Sequence, residues 1–408
     1  MRLKINIKYT IVLICMYLLI FQNILQKYIP IMQYFDEILA LCVIPVFGIK
    51  MLDKKNKLEL DNKDFLIIIL ILFLFVTGIS SNIIYNIQPT SVALADALLI
   101  FKFFFTYFLA KTCLNVDFIE NIKKKLRTHV KIILYVFFVL TVFNYVFRIW
   151  PGEYRFGIMT NKLFYGHSTS LAAVCIFLLS LIILLTNNLK KEKISVFAVS
   201  LVLLSTLRFK AIGALLIISG VMILVNHSNK KISISKFGLL VLIGLIFVWN
   251  QIEYYYIELD GSARNQLTQK SLQIAKDYFP LGAGFGTYGS YMSGISYSPL
   301  YYIYKLNNIY GLQRENANFI SDTFWPMIIG QFGILGLVIY SLILIILFKN
   351  IQDDFNVENK QLYLSKICCF IYLLISSTSE TAFVHPMSIP LALVIGISSM
   401  KKKGIKNE

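Results

Sequence analysis

FLIIILILFLFVTGISSNIIY, residues 65–85, is the stretch that decides the class of fold. It carries no charged side chain, and about 20 such residues in a helix cross the hydrocarbon core of a bilayer. Working outward, apolar runs of about 17 residues or more recur along the whole chain. They cover roughly 9–28, 35–51, 91–112, 129–149, 167–186, 194–208, 210–226, 236–251, 323–348, 362–379 and 384–400. The expected fold is all-α: a polytopic membrane protein with about twelve transmembrane helices. The runs 194–208 and 210–226 read as a tight helical hairpin. One connection is long, residues 251–322, and it divides the chain into three parts. An N-terminal transmembrane bundle of about nine spans covers 1–250. A large, partly helical extracytoplasmic loop follows over 251–322, then C-terminal transmembrane helices and a cytoplasmic tail over 323–408.

Composition agrees. Of 408 residues, 57% are apolar and only 15% charged, against about a quarter charged in soluble domains. The length would allow two or three soluble domains, but there is too little charge to solvate them. Soluble enzyme, secreted disulfide scaffold and nucleic-acid binder are excluded. The net charge of +17 is a topology signal: with the N-terminus in the cytoplasm, inside loops hold 27 of the 39 basic residues and outside loops 11. That asymmetry puts both termini in the cytoplasm. The first run follows Arg2, Lys4 and Lys8 with no small-residue cleavage site, and reads as a retained signal anchor. The six cysteines lie in or at the ends of spans, and no Cys or His spacing suits a structural zinc.

Lysine and arginine sort differently. Only six of 32 lysines lie outside, but five of seven arginines do: Arg148, Arg155, Arg208, Arg264 and Arg314. Topology rules treat the two alike. The planar guanidinium, which grips phosphate or carboxylate by two bonds, does not behave like an ammonium. An anionic ligand on the outer face, most simply a phosphate or diphosphate, explains the set. Interfacial anchoring at span ends suits Arg148 and Arg208 by position.

The long loop is rich in tyrosine. Tyr254, Tyr255, Tyr256, Tyr278, Tyr288, Tyr291, Tyr297, Tyr301, Tyr302, Tyr304 and Tyr310 are eleven of the chain's 24. A tyrosine suits both a sugar ring and a headgroup belt, and both readings stand. Within the loop Arg264 opens an expected helix over 264–278, ended by Pro280. Gly282, Gly284 and Gly286 superficially match a dinucleotide fingerprint, but no βαβ unit surrounds them. They let the backbone turn tightly and approach a ligand or another helix closely.

Three stretches in order resemble the O-antigen ligase and polymerase superfamily over roughly residues 145–348, in particular the polymerases of O-antigen and capsular polysaccharide. Ser205-Thr-Leu-Arg208 followed by Gly213-Ala-Leu-Leu216 resembles its short Ser-Arg motif at the start of a span. Arg264 with Pro280-Leu-Gly-Ala-Gly-Phe-Gly-Thr-Tyr288 resembles the start of its large periplasmic loop. Ser321-Asp322-Thr-Phe-Trp325 through Gly330-Gln-Phe-Gly333-Ile-Leu-Gly336 resembles the exit from that loop. Ligase-type members carry a His-Asn pair eleven residues before the glycine matching Gly333; here Asp322 and Thr323 stand there, and Gln331 replaces the usual Glu. This departure leans toward a polymerase. An Arg-x10-Gly pattern described for such polymerases fits Arg155 to Gly166, but its second copy is absent: Arg264 meets Ala275 and Arg314 meets Trp325.

The resemblance implies glycosyl transfer without metal or cofactor in a bacterial cytoplasmic (inner) membrane. The donor is a glycan on undecaprenyl diphosphate, the acceptor a second lipid-linked repeat unit. A chain-length regulator and a flippase are implied as partners besides the lipid bilayer, and no nucleic acid is expected. The leaving diphosphate needs fixed positive donors, and the acceptor hydroxyl a base within hydrogen-bond reach. The expected catalytic residues are Asp322, Arg208 and Arg264; Arg155, Arg148 and Arg314 are expected at the diphosphate, with Glu153 and His167 as alternative base or acceptor-positioning groups. Plainer readings make Asp322 an N-cap for a helix from Thr323 and treat His167 and His385 as span-end residues; Glu380, at the outer end of the run 362–379, has either kind of role open to it. Lys102 and Asp96 lie within one span, and their six-residue offset argues against a direct pair. An O-antigen ligase, a lipid-linked oligosaccharide flippase or transporter, and a non-catalytic scaffold are the rivals; the transporter reading lacks internal repeats.

Overall fold

The computed structural model describes residues 7–52, 60–253 and 261–399. Tyr254, Tyr255 and Tyr256, the basic residues Arg2 and Lys4 and the tail from 400 onward lie outside the described residues. The described chain is mostly helical, with one two-residue β-hairpin. In order the helices are α1 (Ile7–Tyr28), α2 (Phe35–Leu41), α3 (Val43–Leu52), α4 (Asn62–Tyr85), α5 (Thr90–Cys113) and α6 (Val116–Phe147). The hairpin β1 (Tyr154–Arg155) and β2 (Ile158–Met159) precedes α7 (Ser168–Leu184), α8 (Lys193–Ser205), α9 (Phe209–Ser228) and α10 (Ile234–Glu253). Then come α11 (Ala263–Asp277), α12 (Tyr291–Ile295), α13 (Pro299–Ile303), α14 (Trp325–Asp353), α15 (Lys360–Ser376) and α16 (Ser388–Ile395).

Six of the described helices, α1, α4, α5, α6, α9 and α14, are long and apolar enough to cross a membrane. Others are shorter than the apolar runs that contain them. The run 35–51 is split at Cys42 into α2 and α3. Pro45 explains the break: it has no amide hydrogen to return to Leu41 and its ring crowds that carbonyl. The run 384–400 holds only the eight residues of α16, about 12 Å of helix. Beyond α16 the chain leaves helical form and Ser398 bonds the 114–116 backbone at the end of α5. One large core joins the bundle, in which α7 and α15 are buried nearly all round.

Residues 261–322 have a second, smaller core of their own: Leu267, Ile274, Tyr288, Leu300, Tyr301, Leu306, Leu312 and Ile320 are all buried. Its tyrosines answer the question of what they are for. The Tyr288 hydroxyl donates to the Leu267 carbonyl at 2.6 Å, Tyr297 to Leu312 at 2.6 Å and Tyr304 to Asp277 at 2.7 Å. Tyr301 accepts from the Gly289 amide at 2.9 Å. A buried ring with a satisfied hydroxyl is a staple. These four therefore hold the loop together, and only others such as Tyr291, Tyr302 and Tyr310 are left exposed.

The glycine stretch is stitched into α14. At Gly333 the helix breaks (φ 66°, ψ −166°), and the carbonyls of Gly330 and Gln331 accept instead from the amides of Ala283 and Gly284, at 3.0 and 2.8 Å. Gly282 is required: its φ is +78° and a Cβ there would meet the Gly333 nitrogen at 2.4 Å. From α4, Ser81 donates to the Gly282 carbonyl at 2.5 Å, and Asn82 bonds both the amide and the carbonyl of Phe285. Asp96 of α5 accepts from the Gly286 amide at 2.8 Å. Of the two partners expected for these glycines, a ligand or a helix, the structure supplies helices. Irregular backbone packed among spans is tolerated where protein satisfies its polar groups.

Candidate functional site: an ion cluster at one end of the bundle

Five segments bring charge to one place. The 148–167 connection is anchored first: Asn161 bonds Thr141 and Asn144 of α6, its amide donates to the Ser205 carbonyl at 2.9 Å, and Thr160 donates to the Glu153 carbonyl at 2.7 Å. This fixes the hairpin carrying Glu153 and Arg155 next to the α8–α9 break. The Ser205-Thr-Leu-Arg208 stretch forms that break, with Leu207 at φ 49°. It turns Arg208, just ahead of α9, toward the start of α7. There Nε donates to Ser168 Oγ at 2.6 Å and a terminal nitrogen lies 3.0 Å from His167 Nε2. Guanidinium has only hydrogens to offer, so Nε2 is the acceptor in that contact, while Nδ1 lies 2.9 Å from Thr169 Oγ1 and 3.3 Å from the Thr169 amide, which it caps at the start of α7. His167 thus orients an arginine rather than only ending a span.

The third and fourth contributions come from the two ends of the long loop. Arg264, in the first turn of α11, bonds Asp322 at 3.2 Å and the Ser379 carbonyl at 3.2 Å. Asp322 is not the N-cap of the next helix: α14 begins at Trp325, with Phe324 at the cap position and no side-chain cap. Burial raises its carboxyl above the ordinary carboxylate range, although Arg264 and Lys210 pull the other way. The fifth segment is the α15–α16 turn. Its Glu380 pairs with Lys210 of α9 at 2.6 Å. Burial opposes its charge, but Lys210, with His385 and His167 adding to it, holds its carboxyl below the ordinary range. The turn is tied to the loop exit by Thr381 to the Ser321 carbonyl at 3.3 Å and by Trp325 to Ser377 at 3.1 Å. A shallow cleft of about 250 Å³ including its mouth opens beside Glu380, lined also by Thr169, Tyr372, His385 and Ser388.

No family model matches the chain, and no curated protein matches it. The site therefore rests on its geometry. Six residues picked from the sequence meet in it: Arg155, Arg208, Arg264, Asp322, Glu153 and His167. Two do not join it. Arg148 ends α6 in a left-handed conformation and is exposed, and Arg314 is exposed within the loop. Neither makes a side-chain bond to the cluster among the described residues. Lys210, Ser168 and the Ser379 carbonyl join the site without having been expected there from the sequence, and so does Glu380, which the sequence left open at a span end. Lys210, two residues from Arg208 in the same motif, was the available signal; nothing local marks Glu380, and a backbone carbonyl has no sequence signature. Among the described residues no three His, Cys, Asp or Glu side chains stand together as a metal set.

A second buried charge group lies elsewhere in the bundle. Lys102 of α5 pairs with Asp36 at 2.5 Å and Glu37 at 2.8 Å, and Gln22 donates to Asp36 at 2.7 Å. Lys102 does not pair with Asp96, as the offset between them requires.

Proposed function

We propose that the chain is a polysaccharide polymerase of a bacterial inner membrane. On this reading it spans the bilayer about twelve times with both termini inside, and joins oligosaccharide repeat units carried on undecaprenyl diphosphate at the outer face. The observation that carries the reading is the convergence of Arg155, Arg208, Lys210 and Arg264 with Glu153, Asp322 and Glu380 beside the long loop. Fixed cations suit a leaving diphosphate, whose charge grows as the bond to the sugar breaks. In the step, the anomeric carbon loses its bond to the diphosphate oxygen and gains one to the acceptor oxygen. The acceptor proton passes to a carboxylate, for which Asp322 is best suited: its raised carboxyl is a stronger base than an ordinary aspartate. Arg264 orients it, and the diphosphate leaves with both electrons of the broken bond.

Transport of the lipid-linked unit is the second reading, and one observation favours it: the buried Lys102, Asp36 and Glu37 group, since ionisable residues within spans commonly mark translocation paths. The length distribution of lipid-linked glycan in a deletion strain separates the two. Single repeat units at the outer face, extended only when wild type but not Arg208→Ala is restored, is the expected result. Repeat units trapped inside would make it a flippase, and long chains left on their carrier a ligase.

A further inference from the structure

The cations of the site are held by three sets of ion pairs that differ in how readily a ligand can replace the carboxylate. Lys210 and Glu380 stand at 2.6 Å with side chains 12% and 18% exposed. Arg264 and Asp322 are next, at 3.2 Å and 24% and 33% exposed, with the Ser379 carbonyl as a further acceptor for the arginine. Arg155 and Arg208 share a single oxygen, Glu153 Oε2, at 3.4 and 3.6 Å, and the Glu153 side chain is 61% exposed. Charge-assisted bonds close to about 2.7–2.9 Å when nothing opposes them. This shared carboxylate is therefore the loosest anion in the cluster.

Its main chain is not loose. The Glu153 carbonyl accepts from Thr160 at 2.7 Å, and a Cβ on the adjoining Gly152 would meet the Thr160 carbonyl oxygen at 2.0 Å. The glutamate side chain can swing out without disturbing the hairpin that carries Arg155. Arg208 also keeps its direction when Glu153 leaves, because Ser168 and His167 still hold it. Two guanidinium groups on separate, anchored elements, with one exposed oxygen between them, form a receptor whose anion is exchangeable.

We infer that Glu153 is an internal stand-in for a phosphate: the diphosphate headgroup of a lipid-linked ligand displaces it from Arg155 and Arg208. The inference rests on the diphosphate reading of the site given above. With Glu153 in place, four cations face three carboxylates and the cluster has little net attraction for an anion. With Glu153 displaced, two arginines face the ligand alone. Glu153 then sets how tightly the headgroup is held, by competing with it.

The test is isothermal titration of the full chain in detergent with inorganic pyrophosphate and with geranyl diphosphate, which carries the same headgroup on a short lipid. Glu153→Gln and Glu153→Ala should bind both ligands about two- to fivefold tighter than wild type, the range expected of an exposed ion pair. Both should melt with wild type in the absence of ligand, and Arg208→Ala should lose binding. Unchanged or weaker binding by both Glu153 variants, while Arg208→Ala still loses binding, would overturn the stand-in and leave the diphosphate site intact. A gain with pyrophosphate but not geranyl diphosphate would overturn the lipid assignment. Wild type that binds neither ligand, or Arg208→Ala that binds as wild type does, would bring down this inference and the functional reading together.

Discussion

Two charged clusters sit at opposite ends of α14 and α15, and they are built differently. At one end Lys111 lies 2.5 Å from Asp64, which also accepts from Tyr107 at 2.9 Å and Asn350 at 3.1 Å, while Lys366 lies 2.5 Å from Asp354 and from the Ile397 carbonyl. Asp64 is completely buried and Lys366 nearly so. The partners there come from α4, α5, α14 and α15 and from the chain just past α16, so the cluster clamps the bundle. At the other end the carboxylates that pair with the arginines stand at 3.2 Å or more and remain partly open to solvent. Closeness and burial thus separate the lysine pairs of the clamp, and with them Lys210–Glu380 at 2.6 Å, from the looser arginine pairs that the proposed function assigns to a ligand.

That contrast can be broken first where its effects are largest. Lys111→Met leaves the buried Asp64 carboxylate uncompensated, which costs about 3 kcal/mol or more; the expected outcome is a sharp drop in melting temperature and in the amount of protein in the membrane. Arg208→Ala and Arg264→Ala should instead reach wild-type levels and melt normally, while the proposed glycan extension falls about two to three orders of magnitude. If the arginine variants fail to accumulate, the open cluster is structural too.

The glycine seam sharpens the comparison at the next level. Gly282→Ala forces a Cβ into the backbone of α14 and should destabilise markedly, whereas Gly213→Ala in α9, with nothing within 4 Å of the added carbon, should melt at or slightly above wild type. Thermal melting of the two purified variants is the measurement, and equal behaviour would contradict the seam. A smaller effect concerns pH. On the proposed function Asp322 is the base and must be ionised to accept a proton, and burial raises its carboxyl. Activity should therefore fall with acidity through a range above the usual aspartate value of about 4. Asp322→Asn should be inactive at every pH, and a profile flat down to that value in wild type would remove Asp322 as the base. The smallest effect is expected at Lys270, which is half-buried and makes an exposed bond to Gln273 at 3.2 Å: Lys270→Ala should change the proposed extension less than about twofold, since isolated surface contacts contribute little.

Hydropathy made the long helices legible because a membrane span is dictated by composition over about 20 residues. It did not reveal where an apolar run stops being helical. Pro45 and the short helix after Met387 depend on backbone chemistry and on what packs at the ends. The separation of arginine from lysine located most of the site, since Arg155, Arg208 and Arg264 converge, but Arg148 and Arg314 share the same residue type and region without joining it. Proximity in three dimensions decides that, and sequence position does not. Glu380 lies 170 residues from its partner Lys210, and the site's second half is completed by a carbonyl. The tyrosines were misleading for a related reason: a ring that binds a ligand and a ring that closes a small core have the same side chain, and only the hydroxyl's partner separates them.

The seam between the glycine stretch and α14 bears on how this architecture can be varied. Because the amides of Ala283 and Gly284 complete the broken ladder of α14, and Ser81 and Asn82 of α4 grip the same stretch, the long loop is not a detachable module. A chimera that exchanges residues 261–322 alone would separate donors from acceptors on both sides of the join. To graft a loop of different specificity, the first half of α14 through Gly333 and the end of α4 must travel with it.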